Sequence, residues 1–283
     1  MISIHCRISK ALIILLLLPV VAGSSAAAQK QPVVAATTSM IQSMVELLAG
    51  GELEVRLLIP PAACPGHFDL KPTDAAGLSK AALIIRHDYQ GYLDRKLVSQ
   101  NPDLKIAVLE TPGHFVIPAN YLKALVRVRE ILGERLSDLS PVLDENFALA
   151  SHRVEQAERD ALEHIAQTEL SGAKALCSFR QSDFLRWLGV EVVGTFPNSP
   201  EELSLLQLKQ LVSSARAGRV SFVAGNLQGT GPTVARGVSD ELGIPLCILS
   251  NFPGSNKRNA TYFDLLQDNI NLIIRTLLDI THP

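Results

Sequence analysis

The 283-residue sequence lacks several features that would assign it to a common functional class. It has no run of basic residues and its formal net charge is only -2, so a nucleic-acid partner is not expected. It has no H-E-x-x-H motif, and its glycine-rich segment at 225–232 lacks the Gly-Lys-Ser/Thr of a P-loop. No stretch after residue 28 is long and apolar enough to span a membrane. We therefore expect a soluble mature protein.

Residues 1–28 have the pattern of a cleavable signal peptide. A positive segment containing Arg7 and Lys10 precedes an apolar run and a group of small residues. The apolar run is shorter than the ~20 residues of a membrane-spanning helix, and no cysteine follows it that could carry a lipid. We expect cleavage near Ala28 and export to the periplasm. An uncleaved membrane anchor is the alternative.

Cysteine is scarce, and the three thiols that follow the leader form an odd number. At least one of Cys64, Cys177 and Cys247 must therefore be unpaired. Cys177 and Cys247 lie in apolar, strand-like runs, where a small buried side chain is expected. Cys64 lies in a loop shortly before His67, so it is either a metal ligand or a loop thiol that coordinates nothing.

Short apolar runs alternate with helical segments along the chain. This pattern predicts an α/β fold with two lobes, each a mainly parallel sheet flanked by helices. We assign residues 29–138 to the first lobe and 172–283 to the second. With 47% hydrophobic residues, the chain can supply each lobe with a core of its own. The halves share an alternation of elements but no sequence repeat.

One long rigid helix is predicted to join the lobes at residues 139–171. From Pro141 to Leu170 the chain has no further glycine or proline, and apolar residues recur at three- and four-residue spacing. Capping signals predict three other helices. Ser39 should cap a helix at 40–48, Ser199 and Glu202 should form a capping box for a helix at 200–217, and Thr261 should cap a helix from 262 to about 278.

Three of the seven histidines follow apolar strand-like runs in the first lobe. His67, His87 and His114 should therefore lie at the carboxyl edge of a parallel sheet, where ligands of open α/β sheets bind. Imidazole is a good ligand for divalent zinc, manganese, iron, nickel and copper. We predict that the three histidines hold a metal, with Cys64 or Gln181 completing a four-coordinate shell.

The corresponding strand ends of the second lobe carry amides, hydroxyls and one cation, but no histidine. These residues are Arg180, Gln181, Asp183, Asn226, Gln228, Ser250 and Asn251. A guanidinium repels a bare divalent metal, so Arg180 is expected to pair with an acidic group such as Asp88 or to contact an anion. The segment at 225–232 is either an anion cradle at a helix start or a glycine turn entering a helix.

Several segments of the mature chain resemble a known family. They are Val33-Val34-Ala35-Ala36-Thr37-Thr38-Ser39-Met40, the proline-rich loop ending in His67, Lys71-Pro72-Thr73-Asp74, His114 before Phe115 to Pro118, and Tyr262 to Asn269. Together with two lobes, a long connecting helix and a leader, they look like the zinc and manganese group of substrate-binding proteins of ABC transporters. The similarity is strongest in the first lobe.

The resemblance implies a periplasmic solute-binding protein and not an enzyme. It would capture a divalent metal as transported ligand, with zinc favoured and manganese or iron as alternatives. It would deliver the metal to an ABC permease at the inner membrane, and a monomer is expected. Two other functions stay open. One is binding of a metal chelate or small anion through Arg180 and the amides, and the other is zinc-dependent hydrolysis with Asp88 or Asp183 as base.

The chain departs from the family pattern in the second lobe. Members typically supply a third histidine and a carboxylate there, whereas residues 177–183 contain no histidine. Near Asn226 and Asn251 an amide stands where the family pattern has a carboxylate, so Asn251 is another candidate donor to the metal. His87 is an additional histidine on a first-lobe loop that usually supplies none. The pattern suggests a divergent branch whose site has shifted toward the first lobe.

Overall fold

The computed structural model describes residues 31–168, 170, 172–255 and 261–281. The predicted signal peptide at 1–28 lies outside the described residues. None of the described helices combines the length and the apolarity that a bilayer-spanning segment needs.

The first lobe is built on a parallel sheet of four strands. They are β1 (Val33–Ala36), β2 (Glu54–Leu57), β3 (Leu83–His87) and β4 (Lys105–Leu109). Their spatial order is β2-β1-β3-β4, and every neighbouring pair is parallel. The two central strands, β1 and β3, are buried along their whole length, which explains the apolar runs at 33–36 and 83–85.

The second lobe repeats this arrangement. Its strands are β5 (Lys174–Ser178), β6 (Glu191–Phe196), β7 (Phe222–Asn226) and β8 (Leu246–Leu249). They are parallel in the order β6-β5-β7-β8, so both sheets use the same order of strands along the chain. The predicted fold class, two lobes with mainly parallel sheets flanked by helices, is confirmed.

Nine α-helices are present in the described part of the chain. They are α1 (Ser39–Ala49), α2 (Pro72–Gly77), α3 (Asp94–Gln100), α4 (Pro118–Arg135), α5 (Ser140–Ala166), α6 (Ser182–Trp187), α7 (Leu205–Gly218), α8 (Gly231–Leu242) and α9 (Tyr262–Thr281). Most of them connect one parallel strand to the next, as parallel pairing requires.

The connecting helix α5 has 27 residues and lies between the two sheets in the chain. At 1.5 Å per residue it is about 40 Å long. It packs on α1, α4 and α9, and its buried residues form one face: Leu143, Ala150, Val154, Ala161 and Ile165. The helix ends at Ala166 and not at Leu170. Beyond it the amides of Gln167 and Thr168 donate to carbonyls three residues back, so the last turn is tighter than an α-helix.

The lobes do not have fully separate cores. One cluster of buried residues runs from β1 and α1 through α4, α5 and α9 to the inner face of the second sheet. A smaller cluster fills the other face of each sheet. A shared core resists large separation of the lobes, because opening it would expose apolar surface to water.

Two of the predicted caps are wrong by a few residues. Thr38, not Ser39, caps α1, and its hydroxyl accepts from the amide of Ile41 at 3.4 Å. The helix predicted at 200–217 begins at Leu205, since Ser204 and Gln207 form the capping box. These two residues have the same spacing as Ser199 and Glu202, so the motif alone did not discriminate between them.

The cap predicted for the last helix is confirmed. The hydroxyl of Thr261 accepts from the amide of Asp264, whose carboxylate accepts from the amide of Thr261 at 2.8 Å.

Candidate functional site

The carboxyl ends of both sheets meet at a cleft between the lobes. In each sheet the chain reverses its direction of winding at the central pair of strands, β1 and β3 in the first lobe and β5 and β7 in the second. Ligands of open α/β sheets bind at such switch points. The cleft holds two adjoining cavities of about 430 and 470 Å³. Both are lined by Tyr89, Phe179, Arg180, Asn251 and Phe252.

The proline-rich loop after β2 is held against the second lobe. The carbonyl of Pro61 accepts from the side-chain amide of Gln228 at 3.0 Å, and the carbonyl of Ala62 accepts from the backbone N–H of Gly229 at 3.2 Å. Gly229 has a φ of +66°, and a Cβ there would lie 3.1 Å from the Cβ of Cys64. Glycine is therefore required at this crossing, both for its backbone conformation and for the close approach.

Cys64 and His67 lie side by side in the 430 Å³ cavity. The Cys64 Sγ is 3.6 Å from the Nδ1 of His67; Cys64 is half-buried and His67 is exposed. Within the described residues, the Nε2 of His67 has no hydrogen-bond partner. Thiol and imidazole are side-chain groups that zinc accepts as ligands, and both line this cavity.

His114 links the first lobe to the second. Its Nδ1 accepts from the backbone N–H of Val116 at 3.3 Å, so the ring proton of the neutral form is on Nε2. This N–H donates to the Oδ1 of Asn251, 2.9 Å away on the other lobe. Burial lowers the pKa of His114 to about 4, against the opposing effects of the Asn251 hydrogen bond and the Asp183 charge.

Gln181 extends this link into the second lobe. Its Nε2 donates to the Oδ1 of Asn251 at 2.8 Å and to the Oδ1 of Asn226 at 3.0 Å, across the switch point between β5 and β7. Asn251 thus accepts from both His114 and Gln181. The Oε1 of Gln181 is buried without a hydrogen-bond partner in the described part of the chain. Gln181, a predicted ligand, is in this arrangement a donor that fixes two other amides.

His87 is buried at the carboxyl end of β3. Both of its nitrogens are engaged, Nε2 with the hydroxyl of Thr38 and Nδ1 with the hydroxyl of Thr111, each at 3.0 Å. Its ring stacks on Tyr89 with centroids 5.1 Å apart. Burial lowers the pKa of His87 to about 4, and the nearby Asp88 charge opposes the shift. These contacts hold Tyr89 at the cleft.

The predicted convergence of the three histidines is not seen in this arrangement of the lobes. His67 lines one cavity, and His87 and His114 line the other. Across the described residues, no three histidine, cysteine, aspartate or glutamate side chains lie close enough to hold a metal ion. The ligand set of His67, His87, His114, Cys64 and Gln181 therefore stays a prediction.

Arg180 is exposed and lines both cavities. Its guanidinium lies 4.6 Å from the ring centroid of Phe179. Among the ion pairs of the described residues none involves Arg180, so the predicted pair with Asp88 is not formed. The N–H of Tyr89 instead donates to Asp88 Oδ1 at 2.9 Å.

The sequence interpretation missed the residues that surround the histidines. Thr38 and Thr111 bind His87, and Tyr89, Phe179 and Phe252 line the junction of the two cavities. Each follows the end of a strand by a few residues. Their position after a strand end could have identified them. Hydroxyls and aromatic rings were not predicted because they are not typical metal ligands.

The remaining cysteines agree with the prediction of small buried side chains. Cys177 and Cys247 are buried and unpaired, and Cys64 is also free. Burial raises the pKa of the Cys177 thiol to about 12 and that of Cys247 still further, so neither provides a thiolate.

Comparison with protein families gives a match over residues 34–276 to the family described as ZnuA, zinc-uptake complex component A, periplasmic. The chain belongs to the ZnuA family. Members are periplasmic metal-binding proteins of ABC uptake systems and not enzymes, which confirms the resemblance seen in the sequence and excludes the hydrolase alternative. No curated protein matches the chain.

Several solved structures have the same fold. A crystal structure of ZnuA matches with a TM-score of 0.72 at 19% identity, covering 86% of this chain and 98% of that one. An Mn-bound periplasmic metal-binding protein from Candidatus Liberibacter asiaticus matches with a TM-score of 0.72 at 14% identity, covering 87% and 99%. FpvC from P. aeruginosa in complex with Ni²⁺ matches with a TM-score of 0.71 at 18% identity, covering 88% and 98%.

Proposed function

We propose that this ZnuA-family protein captures a divalent metal, with zinc favoured over manganese and iron, in the cleft between its lobes. The metal is then delivered to an ABC permease at the inner membrane. The chain reaches the periplasm through its cleavable leader and acts there as a monomer. The observation that carries the proposal is that His67 and His114 line adjoining cavities at the switch points of the two sheets.

His67 and Cys64 are the side chains best placed to receive the metal first. The free Nε2 of His67 faces no competing donor or acceptor among the described residues, and the Cys64 sulfur is 3.6 Å from the other ring nitrogen. Zinc binds both thiolate and imidazole well. This pair lies on the loop stiffened by prolines, which reduces the entropy lost when a ligand is fixed.

His114 becomes a ligand only when its hydrogen bond to Asn251 is exchanged for the metal. The Nε2 proton must leave, and the 2.9 Å contact to Asn251 Oδ1 must open. Metal binding is therefore coupled to a rearrangement of contacts between the lobes. The shared core limits this motion to the loops and the cleft. We retain His87 and Gln181 in the ligand set as predictions, with His87 better suited to support the cleft through Thr38 and Thr111.

Zinc titration of protein purified from the periplasm tests the proposal. Its intact mass should place the mature start near Gln29. His67→Ala and His114→Ala should each weaken zinc binding by about 100-fold or more, because each removes a direct ligand, whereas removing a supporting partner typically costs ~10 to 100-fold. Calorimetry gives both affinity and stoichiometry.

His152→Ala is the matched control, since His152 is an exposed histidine on α5. It should leave zinc affinity unchanged. Equal zinc binding by the wild-type protein, His67→Ala and His114→Ala would overturn the proposed site. Absence of zinc, manganese and iron binding by the wild-type protein would overturn the proposed cargo.

A further inference from the structure

The cleft is far larger than a bare metal ion requires. Its two cavities of about 430 and 470 Å³ fall in the range of ~300–1,000 Å³ typical of sites for small organic molecules. A water molecule accounts for only about 30 Å³ of liquid volume. The space beside His67 and His114 can thus hold an organic group together with a metal.

The junction of the cavities is chemically unlike a site for a bare cation. Tyr89 and Phe179 are 45% and 43% exposed, and with Phe252 they present aromatic surface to both cavities. A strongly hydrated metal ion gains little from such surface, whereas the carbon skeleton of an organic ligand packs on it. Aromatic walls with a few polar groups are typical of sites for small molecules.

The same junction carries hydrogen-bond donors without protein partners in the described part of the chain. They are the guanidinium of Arg180 and the Nδ2 of Asn251, whose Oδ1 already accepts from His114 and Gln181. Arg180 repels a bare divalent cation but attracts a carboxylate, with which it forms strong charge-assisted hydrogen bonds. The N-terminal end of α8, at Thr230, opens into the 430 Å³ cavity and adds a partial positive charge.

Three carboxylates also line the cavities, Asp88 and Asp183 the larger one and Glu202 the smaller one. Asp183 contacts Arg186 at 3.3 Å, and Asp88 accepts from the N–H of Tyr89 at 2.9 Å. Glu202 lines the 430 Å³ cavity but is exposed to solvent. No three metal-ligating side chains are grouped within the described residues, so protein atoms alone provide an incomplete shell. An external ligand with oxygen donors would complete it.

We propose that the metal is bound as a complex with a small anionic chelator that has carboxylate donors. His67 and His114 contact the metal, Arg180 and Asn251 Nδ2 bind a carboxylate of the chelator, and Tyr89 and Phe179 pack on its carbon atoms. This inference rests on the proposed function, because it assumes that the two histidines bind the metal. It names the substrate class of that same site.

Equilibrium dialysis with zinc and radiolabelled citrate tests the inference. The one-to-one complex of zinc and citrate carries a net negative charge, and citrate offers several carboxylates. At a fixed activity of free zinc, the wild-type protein should retain zinc and citrate in equal amounts. Citrate should increase zinc retention by about tenfold or more, since a hydrogen bond to a charged group contributes roughly 1.5–3 kcal/mol and tenfold in affinity is ~1.4 kcal/mol.

Arg180→Gln should remove most of the increase produced by citrate, and it should slightly strengthen the binding of zinc alone, because a repelling cation is removed. Arg216→Gln is the matched control, because Arg216 is a second-lobe arginine on α7 that lines neither cavity. It should behave as the wild-type protein. The single tryptophan, Trp187, gives an independent signal, since it stacks on Phe184, which stacks on His114.

The outcomes separate the inference from the proposed function. If zinc binds in a manner that requires His67 but no citrate is retained with it, the inference is overturned and the proposed function stands. If citrate binds equally well without zinc, the cleft binds the anion on its own and the inference is overturned. Both are also overturned if neither zinc nor zinc citrate binds. An equal effect of citrate on wild-type and Arg180→Gln protein overturns the role of Arg180 and with it the inference.

Discussion

The two lobes have the same order of strands but place different chemistry at their carboxyl ends. The loops of the first sheet carry His67, His87 and His114, whereas those of the second carry amides, hydroxyls and Arg180. Topology therefore determines where the loops meet, and the residues of each loop determine what the meeting point can bind. The first lobe carries side chains of the types that bind metals. The second carries amides that link the two lobes by hydrogen bonds, and an exposed arginine.

The lobes also differ in how their loops are held. The loop of the first lobe at 60–67 contains three prolines, which restrict its backbone directly. The loop of the second lobe at 225–232 contains glycines whose positions leave no room for a side chain. Gly225, for example, would place a Cβ 2.4 Å from that of Ala235. One loop is stiffened by its covalent structure and the other by close packing.

The largest expected effect is on stability in acid, and it should originate in the first lobe. Burial lowers the pKa of His87 from 6.5 to about 4, and that of His114 likewise. The unfolded chain then binds more protons than the folded chain between these values. Stability is fully present above about pH 6.5 and is lost as the pH falls through about 4, with a slope of up to ~1.4 kcal/mol per pH unit for each histidine.

Chemical denaturation of wild-type and His87→Gln protein at several pH values measures this slope. The slope of the variant should be shallower by roughly 1.4 kcal/mol per pH unit at most, whatever its absolute stability, because one buried titrating group is gone. His152→Gln, which removes an exposed histidine, should leave the slope unchanged. Parallel curves for wild-type and His87→Gln protein would contradict the burial of a neutral His87.

A second comparison matches one glycine from each loop. Gly231→Ala would place a Cβ 2.2 Å from the carbonyl oxygen of Asn226 and 2.4 Å from the Oδ1 of Asn198, whereas nothing lies within 4 Å of a Cβ at Gly66. Gly231→Ala should destabilise the protein by about 2–3 kcal/mol, since overpacking costs typically 1–3 kcal/mol. Gly66→Ala should be neutral or stabilising by less than about 1 kcal/mol. Thermal denaturation distinguishes them, and equal melting temperatures would refute the difference between the loops.

The fold was predictable from the sequence to a large extent, and the site only in part. The central strands contain short apolar runs, at 33–36 and 83–85, and the stripe on α5 has a clear helical period, so both were recognised. The contacts of His87 were not, because its partners Thr38 and Thr111 follow two other strands and are brought to it by the sheet. Likewise, the link from His114 to Asn251 joins residues 137 positions apart.

The smallest expected effect concerns Asn251. It tests whether the neutral amide at this position accounts for the different chemistry of the second lobe. Asn251→Asp would place a carboxylate 2.9 Å from the Nε2 of His114 while keeping the oxygen that accepts from Gln181. A carboxylate stabilises a bound divalent cation, so the affinity for zinc alone should rise by about tenfold. The same charge repels an anionic chelator and the Nδ2 donor is lost, so the increase in zinc retention produced by citrate should shrink.

Asn271→Asp makes the same charge change on α9 with its acceptor oxygen retained for Gln267, and it should alter neither quantity. If Asn251→Asp leaves the affinity for zinc alone unchanged, the second lobe does not approach the metal, and the site belongs to the first lobe alone.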